Sequence, residues 1–261
     1  VRYLKGEYVF SLWEVLRTIA QDSGEDPQSF EPLKSIDDMM TRLDAATARP
    51  KHEYDWHEAH PSFFEKVAAL AHGIAGGHCF GNGNKRTALL SMLQMMHING
   101  WEWDAPADIE AFVMLRTASN ADPMDVPDIA SFIGTYARLV NGKEAESFRH
   151  LGDGLVNRGL AEDSDHDGFP ATNGLLQPEE YEAAMISAIQ KHVARMSAEE
   201  KGEFETTFRW PEELNAKIRH YFNKLHYKRR LVRKYLQQRQ KKRFGKRLCP
   251  HLGGRSVPRR C

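Results

Sequence analysis

Through the first 140 residues the apolar positions recur every three or four residues and strict alternation is scarce, so the pattern predicts helices rather than strands. Leu12, Val15, Leu16 and Ile19 fall on one face of a helix spanning about Ser11 to Gln21. Ser35 and Asp38 cap a turn before Met39, Met40 and Leu43. Ser62 and Glu65 have the spacing of a capping box, in which each side chain satisfies the other's backbone N–H, and they open a helix from Phe63 to Ala75. Gly76 and Gly77 end it. A run from Thr87 to Asn99 follows, in which Met92, Met95 and Met96 read as core filling. Helices from about Ala107 to Ser119 and from Val126 to Val140 complete an all-α bundle, while Pro50 to Pro61 shows little periodicity.

The rest of the chain divides in two. Residues 143–210 are acidic and helical in pattern, with a helix starting at Pro178. From Pro211 to about Lys242 one long helix is expected, in which Ile218, Phe222, Leu225, Val232 and Leu236 form an apolar stripe. After Phe244 the Gly, Pro and Arg content argues for a flexible end.

Charge sharpens this division. The 261 residues carry 36 Lys and Arg against 36 Asp and Glu, yet from Lys217 onward there are 17 basic residues and no acid. A net neutral chain therefore joins a body of −17 to a tail of +17. Such a tail suits RNA, DNA or an acidic protein surface, the body of this chain included, and its composition does not choose among them. The cysteines Cys79, Cys249 and Cys261 are scattered and odd in number, which suggests a reduced cytoplasmic setting. No apolar run approaches the ~20 residues that span a bilayer. The opening Val1-Arg2-Tyr3-Leu4-Lys5 leads into amphipathic sequence and lacks the pattern of a cleavable signal. Val1 itself fits either a GTG start or a truncated fragment.

The densest chemistry lies in His78-Cys79-Phe80-Gly81-Asn82-Gly83-Asn84-Lys85-Arg86. A histidine is followed by a glycine-bearing turn and then by the start of a helix. Helix starts bind phosphate, because first-turn N–H groups lack partners within the helix and the dipole is positive there. Lys85 adds a point charge and Arg86 a planar fork for phosphate oxygens. Cys79 has no second histidine or acid placed by the sequence to activate it, so it reads as a filler.

This order of residues resembles the signature of the Fic/Doc family, and within it the Doc branch, His-x-Phe-x-Asp/Asn-x-Asn-Lys-Arg. His78, Phe80, Asn82, Asn84, Lys85 and Arg86 each fill a position. The Fic branch has a glycine where this chain has Lys85 and a second arginine where it has Leu89. The resemblance implies a Fic/Doc-type helical bundle over residues 1–142, followed by a helical C-terminal extension. It also implies that Lys51 to Trp56 belongs to a flap that positions the target protein.

By resemblance, His78 is the general base that takes a proton from the target hydroxyl. Phe80 anchors a nucleotide-binding loop completed by Asn82, Gly83, Asn84, Lys85 and Arg86. Lys85 is associated with a pose that presents the γ-phosphate of ATP, which implies kinase chemistry. The implied acceptor is a threonine of elongation factor Tu, and the outcome is arrested translation. Mg²⁺ is expected with ATP, but Asn82 stands where an acid would help hold it, and an amide is a poorer ligand for a hard cation. Alternatives are transfer of a nucleoside monophosphate (AMPylation), or an inactive Doc-like scaffold with a nucleic-acid-binding tail. A separate antitoxin partner is implied, since no Ser/Thr-x-x-x-Glu-Gly/Asn segment of the self-inhibiting kind is present in the chain.

One weaker motif remains. Asp163-x-Asp165-x-Asp167-Gly168 has the opening spacing of a Ca²⁺-binding EF-hand loop, but position twelve is Gly174 instead of glutamate. The pattern Leu176-x-x-x-Glu180-Tyr181 brings a glutamate only six residues beyond that position. Ca²⁺ in a stretched loop and a solvated acidic turn are both consistent with that spacing.

Overall fold

The computed structural model describes residues 1–22, 35–119, 122–164 and 168–197. Its elements run β1 (Arg2–Leu4), α1 (Gly6–Asp22), α2 (Ile36–Ala48), a 3-10 turn (Arg49–Lys51), β2 (Glu53–Tyr54), β3 (His57–Glu58), α3 (Phe63–Gly76) and α4 (Asn84–His97). They continue with β4 (Trp101–Trp103), α5 (Ala107–Thr117), α6 (Val126–Tyr136), β5 (Ala137–Leu139), α7 (Gly142–Asn157), β6 (Ala161–Asp163) and α8 (Pro178–Arg195). The described fold is mainly helical, with three antiparallel strand pairs: β1 with β6, β2 with β3 and β4 with β5.

The centre is α3. Eleven of its fourteen residues are buried, from Phe63 and Phe64 through Val67, Leu70 and Ile74, and α2, α4, α5 and α6 surround it. A helix that is apolar on nearly every side has to be interior. Its start is the expected capping box: the Ser62 hydroxyl accepts from Glu65 N at 3.1 Å, and the Glu65 carboxylate accepts from Ser62 N at 3.0 Å. The cap on α2 is present as well, with the Ser35 Oγ accepting from Asp38 N. Met92, Met95 and Met96 are fully buried, as core.

Three expectations are corrected. On α1 the buried residues are Gly6, Val9, Trp13 and Ala20, whereas Val15 and Ile19 are 54% and 56% exposed. Two apolar stripes overlap along this helix, and the large Trp13 ring decides which one turns inward. The helix expected to reach Val140 stops at Tyr136, and Ala137–Leu139 becomes a strand against Trp101–Trp103. Glu102 and Arg138 face each other there as an ion pair, a cross-strand pairing that favours sheet. Finally, the compact unit does not end near Gly142 but extends from Val1 to Arg195. β6 supplies the partner of β1, and α8 packs on α6 so closely that a Cβ on Gly134 would lie 2.4 Å from the Tyr181 ring. His192, fully buried, places Nε2 3.0 Å from Asp128, and Lys191 spans Asp125 and Asp128 at 2.8 and 2.6 Å.

The expected basic helix and tail lie outside the described residues. Among the described residues, no helix is long and apolar enough to cross a membrane.

Two outcomes follow for stability. Each large side chain of α8 that reaches the core (Tyr181, Met185, Ile189) contributes about 1.5–3 kcal/mol, against a total of roughly 5–15 kcal/mol for a domain. A chain ending at Gly142 is expected to lose cooperative thermal unfolding, while one ending at Ser197 keeps it; a sharp transition from the shorter chain would contradict this. Burial also holds His60, His72 and His97 below the ordinary imidazole value. The unfolded chain therefore takes up protons first, and stability present above about pH 6.5 declines as pH falls through the lower folded values. Urea midpoints measured from pH 7.5 to 5 should drop, and a flat profile counts against the burial of these rings.

Candidate active site

The C-terminus of α3 delivers the signature loop. Gly77 N donates to Gly73 O at 3.0 Å, which closes the last turn. His78 follows with φ 45°, in the left-handed region that a non-glycine residue enters only when its surroundings impose it. Its side chain is exposed. The neighbours on either side are fixed: Arg42 of α2 reaches Gly77 O with one guanidinium nitrogen at 3.3 Å, and Cys79 and Phe80 are buried. Burial pushes the Cys79 thiol up to about 11, so it stays protonated and suits a packing role.

From Phe80 to Asn84 the loop is tied by its own side chains. Asn84 Oδ1 accepts from Phe80 N at 2.9 Å, and its Nδ2 donates to Phe80 O at 2.7 Å. One asparagine thus satisfies both backbone groups of a buried residue. Asn82 Oδ1 accepts from Gly83 N at 2.7 Å. Gly83 has φ 86°, a conformation glycine adopts without the Cβ clash, and it forms the N-cap of α4. Lys85 and Arg86 stand exposed on that first turn. Gly83, Asn84, Lys85 and Arg86 thus share one helix start, His78 stands exposed six residues before Asn84, and Phe80 sits wholly in the core as the anchor.

Trp13 was not singled out by sequence reasoning. Its ring stacks on Phe80, with centroids 4.9 Å apart and planes within 4°, and its Nε1 donates to Asn82 O at 2.9 Å. Arg17 lies over the same indole, 5.8 Å from its centroid. The only sequence signal for Trp13 was a large aromatic four residues after Val9, and its partners lie almost seventy positions away.

The groups at this helix start are of the kind that binds an anion, and they are not a set of metal ligands. The α4 start, Lys85 and Arg86 suit phosphate oxygens. Asn82 is a neutral amide whose Oδ1 already serves Gly83, and the described residues contain no group of three His, Cys, Asp or Glu able to hold a metal ion. Of the expected Ca²⁺ loop, Asp163 ends β6 and accepts from Arg2 Nε at 3.2 Å; Asp165 and Asp167 lie outside the described residues.

The sequence model of the Fic/DOC family matches residues 11–96. Toxin Doc of Mycolicibacterium smegmatis is 34% identical over 95 residues, covering 36% of this chain and 73% of that protein. No solved structure matches. The chain belongs to the Fic/DOC family.

Replacing Trp13 tests how the loop is held. Trp13→Phe keeps a ring against Phe80 but loses the donor to Asn82, an expected cost of about 1 kcal/mol for the hydrogen bond. Trp13→Ala removes the stack as well and should cost roughly 3–5 kcal/mol in urea unfolding. Two variants as stable as the parent would show that the loop does not depend on this residue.

Proposed function

We propose that this chain is a Doc-like toxin that transfers the γ-phosphate of ATP to a protein hydroxyl, with elongation factor Tu as the acceptor and arrest of translation as the result. The observation that carries the reading is the pairing of an exposed His78, in a left-handed conformation, with a helix start that bears Lys85 and Arg86. Fic/DOC relatives are transferases, and the relative named Toxin Doc supports the toxin role and a partner antitoxin. Lys85 in place of the glycine of the Fic branch, and Leu89 in place of its second arginine, favour phosphoryl over nucleotidyl transfer.

In the proposed reaction a His78 ring nitrogen accepts the proton of the target hydroxyl as its oxygen bonds to the γ-phosphorus. The bond to the β-phosphate oxygen breaks and ADP leaves. Lys85, Arg86 and the α4 amides offset the charge that develops on the phosphoryl oxygens, which is the main contribution a protein makes to such a transfer. Any Mg²⁺ would come bound to the phosphates, because the loop offers it only the Asn82 amide. The hairpin of β2 and β3 is the proposed flap for the acceptor protein, in the region expected from sequence but centred on Asp55 and Trp56.

The assay uses the full chain with elongation factor Tu and ATP labelled at either the γ- or the α-phosphate. Label from γ should appear on the acceptor, and His78→Ala should lower its rate by about 10²- to 10⁴-fold. Label from α instead would assign nucleoside-monophosphate transfer, and none from either would reject this acceptor.

A further inference from the structure

The β2–β3 hairpin is poorly built to hold itself in place. Each strand has two residues, and an isolated two-stranded hairpin is marginal in water. Its central residues Asp55 and Trp56 have φ 49° and 67°, left-handed at both positions, as a type I′ turn requires. That turn favours Asn-Gly; here it carries a tryptophan, a bulky residue in a conformation that costs energy. Register adds a further penalty, because Glu53 and Glu58 face each other across the strands and like charges in that position repel. One backbone bond, Ala59 N to His52 O at 2.8 Å, closes the base.

Against this stands one strong contact. Lys66 of α3 is 3% exposed, and its Nζ donates to both carboxylate oxygens of Glu58, at 2.8 and 2.9 Å. The pair neutralises one of the two facing glutamates and gives a buried ammonium its counter-charge. It also ties the hairpin to the helix whose other end delivers His78. The aromatic tip is meanwhile presented outward: Trp56 is 96% exposed and Tyr54 is 69% exposed. A strained tryptophan that stands almost wholly exposed is suited to burial against a partner, where tryptophan contributes strongly to binding.

We infer that Lys66 and Glu58 form a latch that holds the hairpin at a fixed angle to the active-site loop, so that Tyr54 and Trp56 meet the acceptor protein in a set orientation. Lys66 is a positioning residue for the acceptor, with no contact to nucleotide. The inference rests on the transfer reading above, and the test separates the two.

Three full-length variants are compared with the parent: Glu58→Gln, Lys66→Met, and both together. The methionine keeps Lys66's bulk in the core while removing the charge, and the double variant carries no uncompensated buried ammonium should Glu58→Gln alone be compromised. Amide exchange over residues 52–59 should accelerate about tenfold or more in each single variant, with α3 and α4 unchanged. The KM for elongation factor Tu should rise about tenfold, with kcat within about threefold and ATP affinity unaltered. The double variant should be no worse than the singles, since the two act through one contact. Unchanged exchange, or faster exchange with the parent KM, overturns the latch. A parent chain that transfers no label fails for a different reason: it overturns the transfer reading, and with it the acceptor-positioning role.

Discussion

The rest of the structure depends on the burial of α3. Because the helix is apolar almost all the way round, it has to be enclosed by other helices, and α2, α4, α5 and α6 do so. Its two ends then become the two functional ends. The capped N-terminal side carries Lys66, which grips the hairpin, and the C-terminal side runs into Gly76 and Gly77 and releases the chain into the His78 loop. A rigid interior element thereby connects the residues proposed to meet a protein with the residues proposed to act on phosphate.

The loop shows how a strained backbone is held in place. Left-handed His78 and Gly83 lie on either side of Phe80, and Phe80 is fixed three times over: by its buried ring, by the Trp13 stack and by the two hydrogen bonds of Asn84. The anchor carries the constraint, while His78, Lys85 and Arg86 stand exposed. Sites organised this way pay little reorganisation when charge develops during reaction.

The segment after Gly142 changes how the domain should be understood. β6 completes the edge of β1, and α8 covers α6 with buried aromatic, aliphatic and charged contacts. The acidic half of the body is therefore part of the same hydrophobic unit as the signature loop. Its Lys191, His192 and Arg195 in turn meet Asp122, Asp125 and Asp128 at and just before the start of α6, which ties the two halves of the unit together.

The sequence alone determined whatever rests on neighbours a few residues apart. The capping box of Ser62 and Glu65, the glycine stop after α3, and the order of His78, Asn84, Lys85 and Arg86 were all legible, because helix ends and phosphate cradles are local in the chain. It also gave the family, through that same order. Tertiary structure decided what depends on distant partners. Trp13 as the loop's support, the inward face of α1, the strand made from Ala137–Leu139, the enclosure of α8 and the Lys66–Glu58 contact each need a surface supplied by another part of the chain. Periodicity shows that a helix has an apolar stripe, and two stripes when residues allow; only the shape of the facing element selects which one is buried.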